Sequence, residues 1–447
     1  MFDFTKAVEG FIKTNNLFEK NDKLLVALSG GVDSVVLVHV LKNLGYNVSA
    51  AHVNFMLRDE ESNRDELFVI DLCKKLNINL YTTKVRTKEL SKNQNLSIQQ
   101  TARNFRYSWL NKILTEQNLN KICTAHHAND VAETMLINFT RGTGIEGLIG
   151  IKAINNNIVR PLLNVSKKQI IEYATQLNIN YVEDSSNNET KYTRNKIRHH
   201  VIPVLEEINP DFINTTIENS WLISAQHFFY KQYVTELIKV IVTKTNQQTI
   251  IDANKITSFK FSEILLFEII KDFGFSSFNC FNIIQSYTNK QTGASFYSST
   301  HKLLVNRNSF LVEPNTLDEN KIIELSENYE SINDGYYKLT FKTIQKNKLL
   351  NFKPNCLYLD KEKLKFPLFL KPIEPGMKFS PLGLKGKKKI SDFLIDNKVN
   401  LFDKERAKVL ISDGKIIAIL PYQIDNYYKI TDNTKHVYVI KIKEAAM

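Results

Sequence analysis

Six consecutive residues, Ser29-Gly30-Gly31-Val32-Asp33-Ser34, have the types and spacing of a phosphate cradle. The glycines let backbone approach an anion. Ser29 and Ser34 can donate hydroxyl hydrogen bonds. An apolar helical pattern starting at Val32 would turn the open N–H groups and positive end of a helix toward the same point. The stretch lacks the Gly-Lys-Ser/Thr of a Walker loop, and it is not a GxGxxG turn. A carboxylate beside a phosphate repels it unless a cation lies between, so Asp33 reads as a Mg²⁺ ligand. A second group, His126, His127, Asp130 and Glu133, sits in TAHHANDVAET. Asp130 and Glu133 are spaced to share a helical face, with His126 about one turn before Asp130. The spacing is not HExxH, which argues against zinc hydrolysis. Two histidines and two carboxylates together at a strand end read as a site.

Positive charge lies at plausible reach. Arg103 and Arg106 share a helix face with Gln99. Arg194 and Arg198, with Asp184, Asn187 and Asn195, surround a polar loop leading into a helix. His52, Asn54, Arg58 and Asp65 follow another strand, and Arg141-Gly142-Thr143-Gly144 forms a basic, glycine-bearing loop.

Strands are predicted at Leu24–Leu28, Val48–Val53, Asn79–Thr83 and Lys121–Ala125, and helices at Val32–Leu44, Ser62–Leu76, Ser97–Leu114 and Val131–Phe139. Such alternation with short connections predicts an α/β fold, a doubly wound, mainly parallel sheet with helices on both faces. Ligands bind such sheets beyond the carboxyl ends of the strands, which is where the polar motifs fall.

The 447 residues can hold two to three domains. Four scattered cysteines make no CxxC pair, which argues against zinc, a disulfide framework and a thiol relay. No run is apolar enough to cross a bilayer and the start does not resemble a signal peptide, so the expected location is cytoplasmic. A net charge of +12 suits a polyanionic partner.

SGGVDS resembles the loop of the ATP pyrophosphatase (PP-loop) superfamily, which cleaves ATP to AMP and pyrophosphate. SGGVDS, HVNFMLR, TARNFRY, AHHANDVAET, RGTGIEGL, RPLL, EDSSN and YTRNKIR occur in the order seen in the tRNA(Ile)-lysidine synthetase family, and the stretch beginning PGMKFSPLGLKGKKK resembles that family's C-terminal domain. The resemblance implies that ATP adenylates the 2-oxygen of the wobble cytidine in an isoleucine tRNA with a CAU anticodon. The amine of free L-lysine then displaces AMP, giving lysidine and changing the tRNA from methionine to isoleucine identity.

In that scheme the loop from Ser29 to Ser34, Val32 included, binds pyrophosphate, and Asp33 orients Mg²⁺. Arg103, Arg194 or Arg198 offsets charge on the α-phosphate, and Arg198 is also a candidate tRNA contact. Asp130 with Glu133 holds the lysine ammonium or takes its proton, and His126 binds nucleotide or shuttles the proton. Two positions depart from the family pattern: Asn129 stands where a second Asp is usual, and Phe55 where a His is frequent.

The expected division is a PP-loop catalytic domain over 1–215, a mostly helical tRNA-contacting domain over 216–313 and a basic, small α+β C-terminal domain over 336–447. The middle domain is predicted to hold helices at Ile217–Val242, Ser258–Phe273 and Phe278–Tyr287, then a hairpin, His301–Val305 and Ser309–Val312. A polar linker is expected over 314–335. Lys378, Lys385, Lys387, Lys388 and Lys389, near Gly383 and Gly386, read as tRNA phosphate contacts. The sequence leaves a homodimer open. Among rivals, a tRNA thiolase would need relay cysteines or an iron–sulfur set, a small-molecule synthetase would not need the basic C-terminal domain, and a binding protein would leave the ATP loop unexplained.

Overall fold

The computed structural model describes residues 2–57, 59–183, 193–245, 248–315, 321–346, 351–384 and 386–445. The chain divides into two compact units, Met1–Lys231 and Gln232–Met447.

The first unit runs α1 (Phe4–Thr14), β1 (Lys23–Ala27), α2 (Val32–Asn43), β2 (Asn47–Asn54), α3 (Asp59–Leu76), β3 (Asn79–Lys84), α4 (Thr87–Gln94), α5 (Ile98–Glu116), β4 (Lys121–Cys123), α6 (Ala128–Arg141), α7 (Ile145–Leu148), β5 (Ile154–Asn155), β6 (Ile158–Val159) and α8 (Lys167–Gln176). Strand order is β3-β2-β1-β4-β6-β5. Every pairing is parallel except β5 with β6. Covered on both faces, β1 is an apolar run with Leu24, Leu25 and Val26 fully buried. The helix after it, α2, buries Val35, Val36, Leu37, Val38, Val40 and Leu41. The chain order reverses between β1 and β4, and a crevice forms at such a switch point.

Expected and observed elements agree to within a few residues. Leu28 leaves the β1 ladder, though its N–H still reaches the Ala51 carbonyl at 2.9 Å. The helix expected from Val131 begins at Ala128, where the Asp130 carboxylate turns back to accept the backbone N–H of the N-cap residue His127.

In the second unit the expected hairpin pairs His301–Val305 with Ser309–Pro314, Leu304 opposite Leu311. It lies inside a five-stranded antiparallel sheet completed by Val242–Lys244, Thr249–Asp252 and Ser295–Tyr297. The outer strands are three residues long, too short for alternation to announce them. The helices Ala253–Thr257, Ser262–Ile270 and Ser277–Thr288 accompany this sheet. Two more antiparallel sheets follow, of five and four strands. Leu368, Leu370 and Leu410 from one and Leu339, Leu359 and Ile440 from the other share a core. The segment expected to be a linker contributes Ile323–Leu325 and Ser331–Asn333 to these sheets. Leu325 is fully buried there, which its polar surroundings in sequence conceal.

Candidate active site

The glycine loop closes on itself. The Ser29 N–H donates to Ser34 Oγ at 3.1 Å, the two hydroxyl oxygens lie 3.1 Å apart, and Ser34 Oγ donates to the Gly31 carbonyl at 3.0 Å. Gly30 has φ +96°, in the region that favours glycine, and its carbonyl accepts from Val182 N–H at 3.0 Å. Gly31 is the N-cap of α2 and makes no side-chain cap bond, so the first turn keeps its N–H groups for an anion.

Asp33 occupies the first turn of α2. Its Oδ1 lies 2.5 Å from Lys167 Nζ, and its Oδ2 lies 3.9 Å from His127 Nε2. His127 Nε2 is also 3.7 Å from Asp130 Oδ2, so a buried imidazole stands between the two carboxylates. Asp130 Oδ2 accepts the His127 backbone N–H at 3.0 Å. Burial works to raise the Asp130 carboxyl, but the His127 and His126 rings, the His127 N–H and Arg194 outweigh it and hold it below the ordinary range.

Glu133 is fully buried and belongs to two arginines. Arg198 grips it through Nε at 2.6 Å and Nη2 at 3.1 Å, and Arg194 Nε lies 3.1 Å away. Arg198 Nη2 is also 3.9 Å from Asp130 Oδ1, and Arg194 Nη2 donates to Thr134 Oγ1 at 2.8 Å. Both arginines come from a short helix, Thr193–Lys196, and the π-helical turn Ile197–Val201 that continues it.

Asp33, His126 and Asp130 line one cavity of about 410 Å³ at the ends of β1, β2 and β4. His126 Nδ1 lies 2.9 Å from Thr124 Oγ1. Burial lowers its pKa to about 4, so the ring is neutral at neutral pH. Across the cavity His52 Nδ1 donates to the Leu28 carbonyl at 2.9 Å, which leaves its buried Nε2 as an acceptor with no protein partner. Arg106 also lines the cavity, over the Phe55 ring at 5.2 Å. Phe55 thus offers a stacking face at this position. Arg103 does not line the cavity; it is exposed, over Tyr107 at 5.0 Å.

Asn129 Oδ1 accepts the Lys167 backbone N–H at 2.9 Å and ties α6 to the start of α8. An amide serves that bond as well as a carboxylate would. Lys167 is the site residue that sequence reasoning missed. A lysine in the first turn of a helix opposes the macrodipole, and that local misfit was the available signal. Arg58, Asp184, Asn187 and Lys385 lie outside the described residues.

No group of three or more His, Cys, Asp or Glu side chains among the described residues could cage a metal. A lone carboxylate beside a phosphate cradle does fit Mg²⁺, which takes one or two carboxylates and completes its shell with phosphate and water oxygens. In the second unit, Lys378 and Lys389 face each other across the two-stranded ribbon Lys378–Phe379 and Lys388–Lys389. Lys378, Lys387 and Lys389 are exposed, whereas Lys388 is half-buried and pairs with Asp396. Among the described residues no helix is long and apolar enough to cross a membrane.

Residues 3–205 match the family model of a PP-loop domain, and residues 244–315 match that of a TilS substrate binding domain. The tRNA(Ile)-lysidine synthase of Bacteroides thetaiotaomicron is 38% identical over 433 residues, covering 97% of this chain and 98% of that one. The enzyme of the same name from Parabacteroides distasonis is 36% identical, covering 96% and 98%. That from Clostridium perfringens is 33% identical, covering 98% and 99%. With a PP-loop domain match over residues 3–205 and likeness along almost its whole length to these tRNA(Ile)-lysidine synthases, the chain, whose glycine loop opens α2 and whose acid–histidine cluster opens α6, belongs to the tRNA(Ile)-lysidine synthase family.

Proposed function

We propose that this chain adenylates O2 of the wobble cytidine in a CAU-anticodon isoleucine tRNA and then joins the ε-amine of L-lysine to C2. The cytidine oxygen attacks the α-phosphorus of ATP, and pyrophosphate departs with the electron pair of the broken P–O bond. The lysine amine then forms the C–N bond, AMP departs, and the amine gives up a proton. The observation that carries this reading is that the glycine loop, His126 and Asp130 line a single cavity, so phosphate and amine chemistry can meet within it.

The Ser29–Ser34 loop takes the β- and γ-phosphates. Asp33 would hold Mg²⁺, and the ion would supply positive charge to the phosphate oxygens. With Glu133 holding Arg194 and Arg198, those cations are preorganised beside Asp130, where charge on the α-phosphate can be offset. Asp130 then holds the lysine ammonium by its charge and takes a proton from the nitrogen as the C–N bond forms, when bonding has made that N–H acidic. A lysine amine is almost entirely protonated at neutral pH, and only its neutral form attacks. His126, neutral at neutral pH, suits a hydrogen bond to nucleotide. Arg103, outside the cavity, is assigned to tRNA rather than to the reacting phosphorus.

The three-part division at 1–215, 216–313 and 336–447 places tRNA contacts on the middle and C-terminal parts, with Lys387 and Lys389 as phosphate ligands. A cytoplasmic setting follows from the tRNA and ATP it needs. The test is nucleoside mass analysis of a CAU-anticodon tRNA after incubation with the protein, ATP and labelled lysine. A labelled cytidine derivative of lysidine mass is expected; an unmodified cytidine overturns the reading.

A further inference from the structure

The second unit holds a cavity of its own, about 350 Å³, lined by Tyr297, Lys302, Glu313, Tyr336, Phe402 and Arg406 among others. Ligand pockets start at about 300 Å³, so this one admits a single flat guest and no helix. Glu313 is 8% exposed on the strand Ser309–Pro314. Its Oε2 pairs with Arg406 Nη2, whereas its Oε1 is buried with no hydrogen-bond partner. Lys302 stands directly opposite on the neighbouring strand, placed to supply that partner. It turns instead to Glu405 and meets the two oxygens at 3.0 and 2.9 Å. A buried carboxylate oxygen left bare is costly, and a guest that donates to it recovers the cost. The walls are aromatic and cationic. Arg406 lies 4.7 Å over the Tyr336 ring, and Lys302 Nζ lies 5.1 Å from the Phe402 centroid and 5.7 Å from that of Tyr297. Tyr297 is 62% exposed and offers ring surface for stacking.

The guest that these groups recognise carries an N–H donor on a flat aromatic body with negative charge behind it. An unpaired base of RNA has all three. Cytosine and adenine present an exocyclic amine, which suits Glu313 Oε1; uracil presents a carbonyl at that place, which a carboxylate repels. We propose that this cavity is a second nucleotide site, which captures one unpaired cytosine or adenine of the bound tRNA by donation from its exocyclic amine to Glu313 Oε1, with the base against Tyr297 and its phosphate beside Lys302. The third N–H of the Lys302 ammonium, beyond the two that Glu405 takes, serves the phosphate. This assignment rests on the reading of tRNA as the substrate.

The test puts a reporter in the cavity. Tyr297→Trp in the full chain keeps a stacking ring whose fluorescence a bound base quenches, and the same titration of wild type subtracts the signals of Trp109 and Trp221. The probes are hexacytidylate and hexauridylate at pH 8, above the value of about 7 to which burial pushes Glu313, so that its carboxylate is ionised. Hexacytidylate is expected to quench the reporter at a concentration lower by about tenfold or more, the discrimination of a hydrogen bond to a charged group. Adding Glu313→Gln should reverse that preference. The amide turns its oxygen to Arg406, because an NH₂ there would face the guanidinium donors, and so presents its NH₂ to the cavity, where it suits the uracil carbonyl. Equal midpoints for the two probes in the reporter overturn the proposal, and this arm stands even where Glu313→Gln does not fold. A preference for cytidine that survives Glu313→Gln also overturns it, as does absence of any quench beyond that of wild type while tRNA still binds in a filter assay. Failure of wild type to bind tRNA in that assay overturns the reading of the substrate and this assignment with it.

Discussion

Around α6 the charges sit in one another's grip. Glu133 lies between Arg194 and Arg198, Asp33 takes Lys167, and the His127 N–H closes on Asp130. On the ribbon of the second unit, Lys378, Lys387 and Lys389 stand in solvent. A buried charge with fixed partners, as Glu133 is, acts over a few ångströms, keeps one geometry and responds sharply to loss of a partner. Exposed lysines act through a field that salt screens within about 10 Å at 0.1 M. The first arrangement suits bond making, the second suits gripping a polyanion of variable contour.

Breaking the first arrangement at its centre should have the largest effect. Asp33→Asn keeps shape and removes charge, so pyrophosphate release should fall by roughly two to three orders of magnitude while tRNA binding in a filter assay persists. Near-normal turnover would reduce Asp33 to a turn residue. Asp130→Asn should spare adenylation and slow lysine transfer by about 100-fold or more, the range for a lost general base. Raising pH should partly restore the second step by supplying neutral amine. A variant that forms no adenylate at any lysine concentration would instead assign Asp130 to the phosphates.

Arg198→Ala strips a bidentate partner from the buried Glu133 and should cost about 3 kcal/mol in denaturant unfolding, with Arg198→Lys intermediate. A loss below about 1 kcal/mol would show that Arg194 suffices for the carboxylate.

The two units should also differ in the sign of a pH dependence. Burial holds His126 at about 4, below its ordinary 6.5, so its contribution to stability is lost as pH falls from 6.5 toward 4. In the second unit burial pushes Glu313 up to about 7 against the pull of its partner Arg406, so its contribution is present at low pH and lost as pH rises from 4.5 through 7. In thermal melts His126→Gln should flatten the first limb and Glu313→Gln the second, each by a few degrees. Flattening of the same limb by both would contradict the burial argument.

The smallest effect belongs to the ribbon. Replacing Lys387 and Lys389 by Gln should lower the log–log salt slope of tRNA binding by about 1 for each phosphate that the ribbon no longer neutralises. An unchanged slope would make the ribbon a solvated face.

What the sequence disclosed follows from distance along the chain. The glycine loop and the acid–histidine cluster each lie within a dozen residues, and local pattern displays such groups whole. The strand ends that unite them were legible because β1 and β2 are apolar runs stopped by polar turns. Lys167 was not, since only folding brings α8 against α2. Nor was the division of labour between the two acids of α6. Spacing puts Asp130 and Glu133 on one face and offers both to lysine, whereas burial assigns Glu133 to arginines and leaves Asp130 lining the cavity. Arg103 and Arg106 gave the same difficulty: one helix face, but one side chain over Tyr107 and the other in the cavity.

The central claim, that one cavity carries out both half-reactions, is tested most directly by rapid quench with α-labelled ATP. Wild-type protein with CAU-anticodon tRNA and no lysine should transfer label to the tRNA with stoichiometric release of pyrophosphate. A chase of unlabelled ATP with lysine should then discharge the label as AMP as lysidine appears. Label that never reaches the tRNA, or that leaves it at the same rate without lysine, would contradict the account.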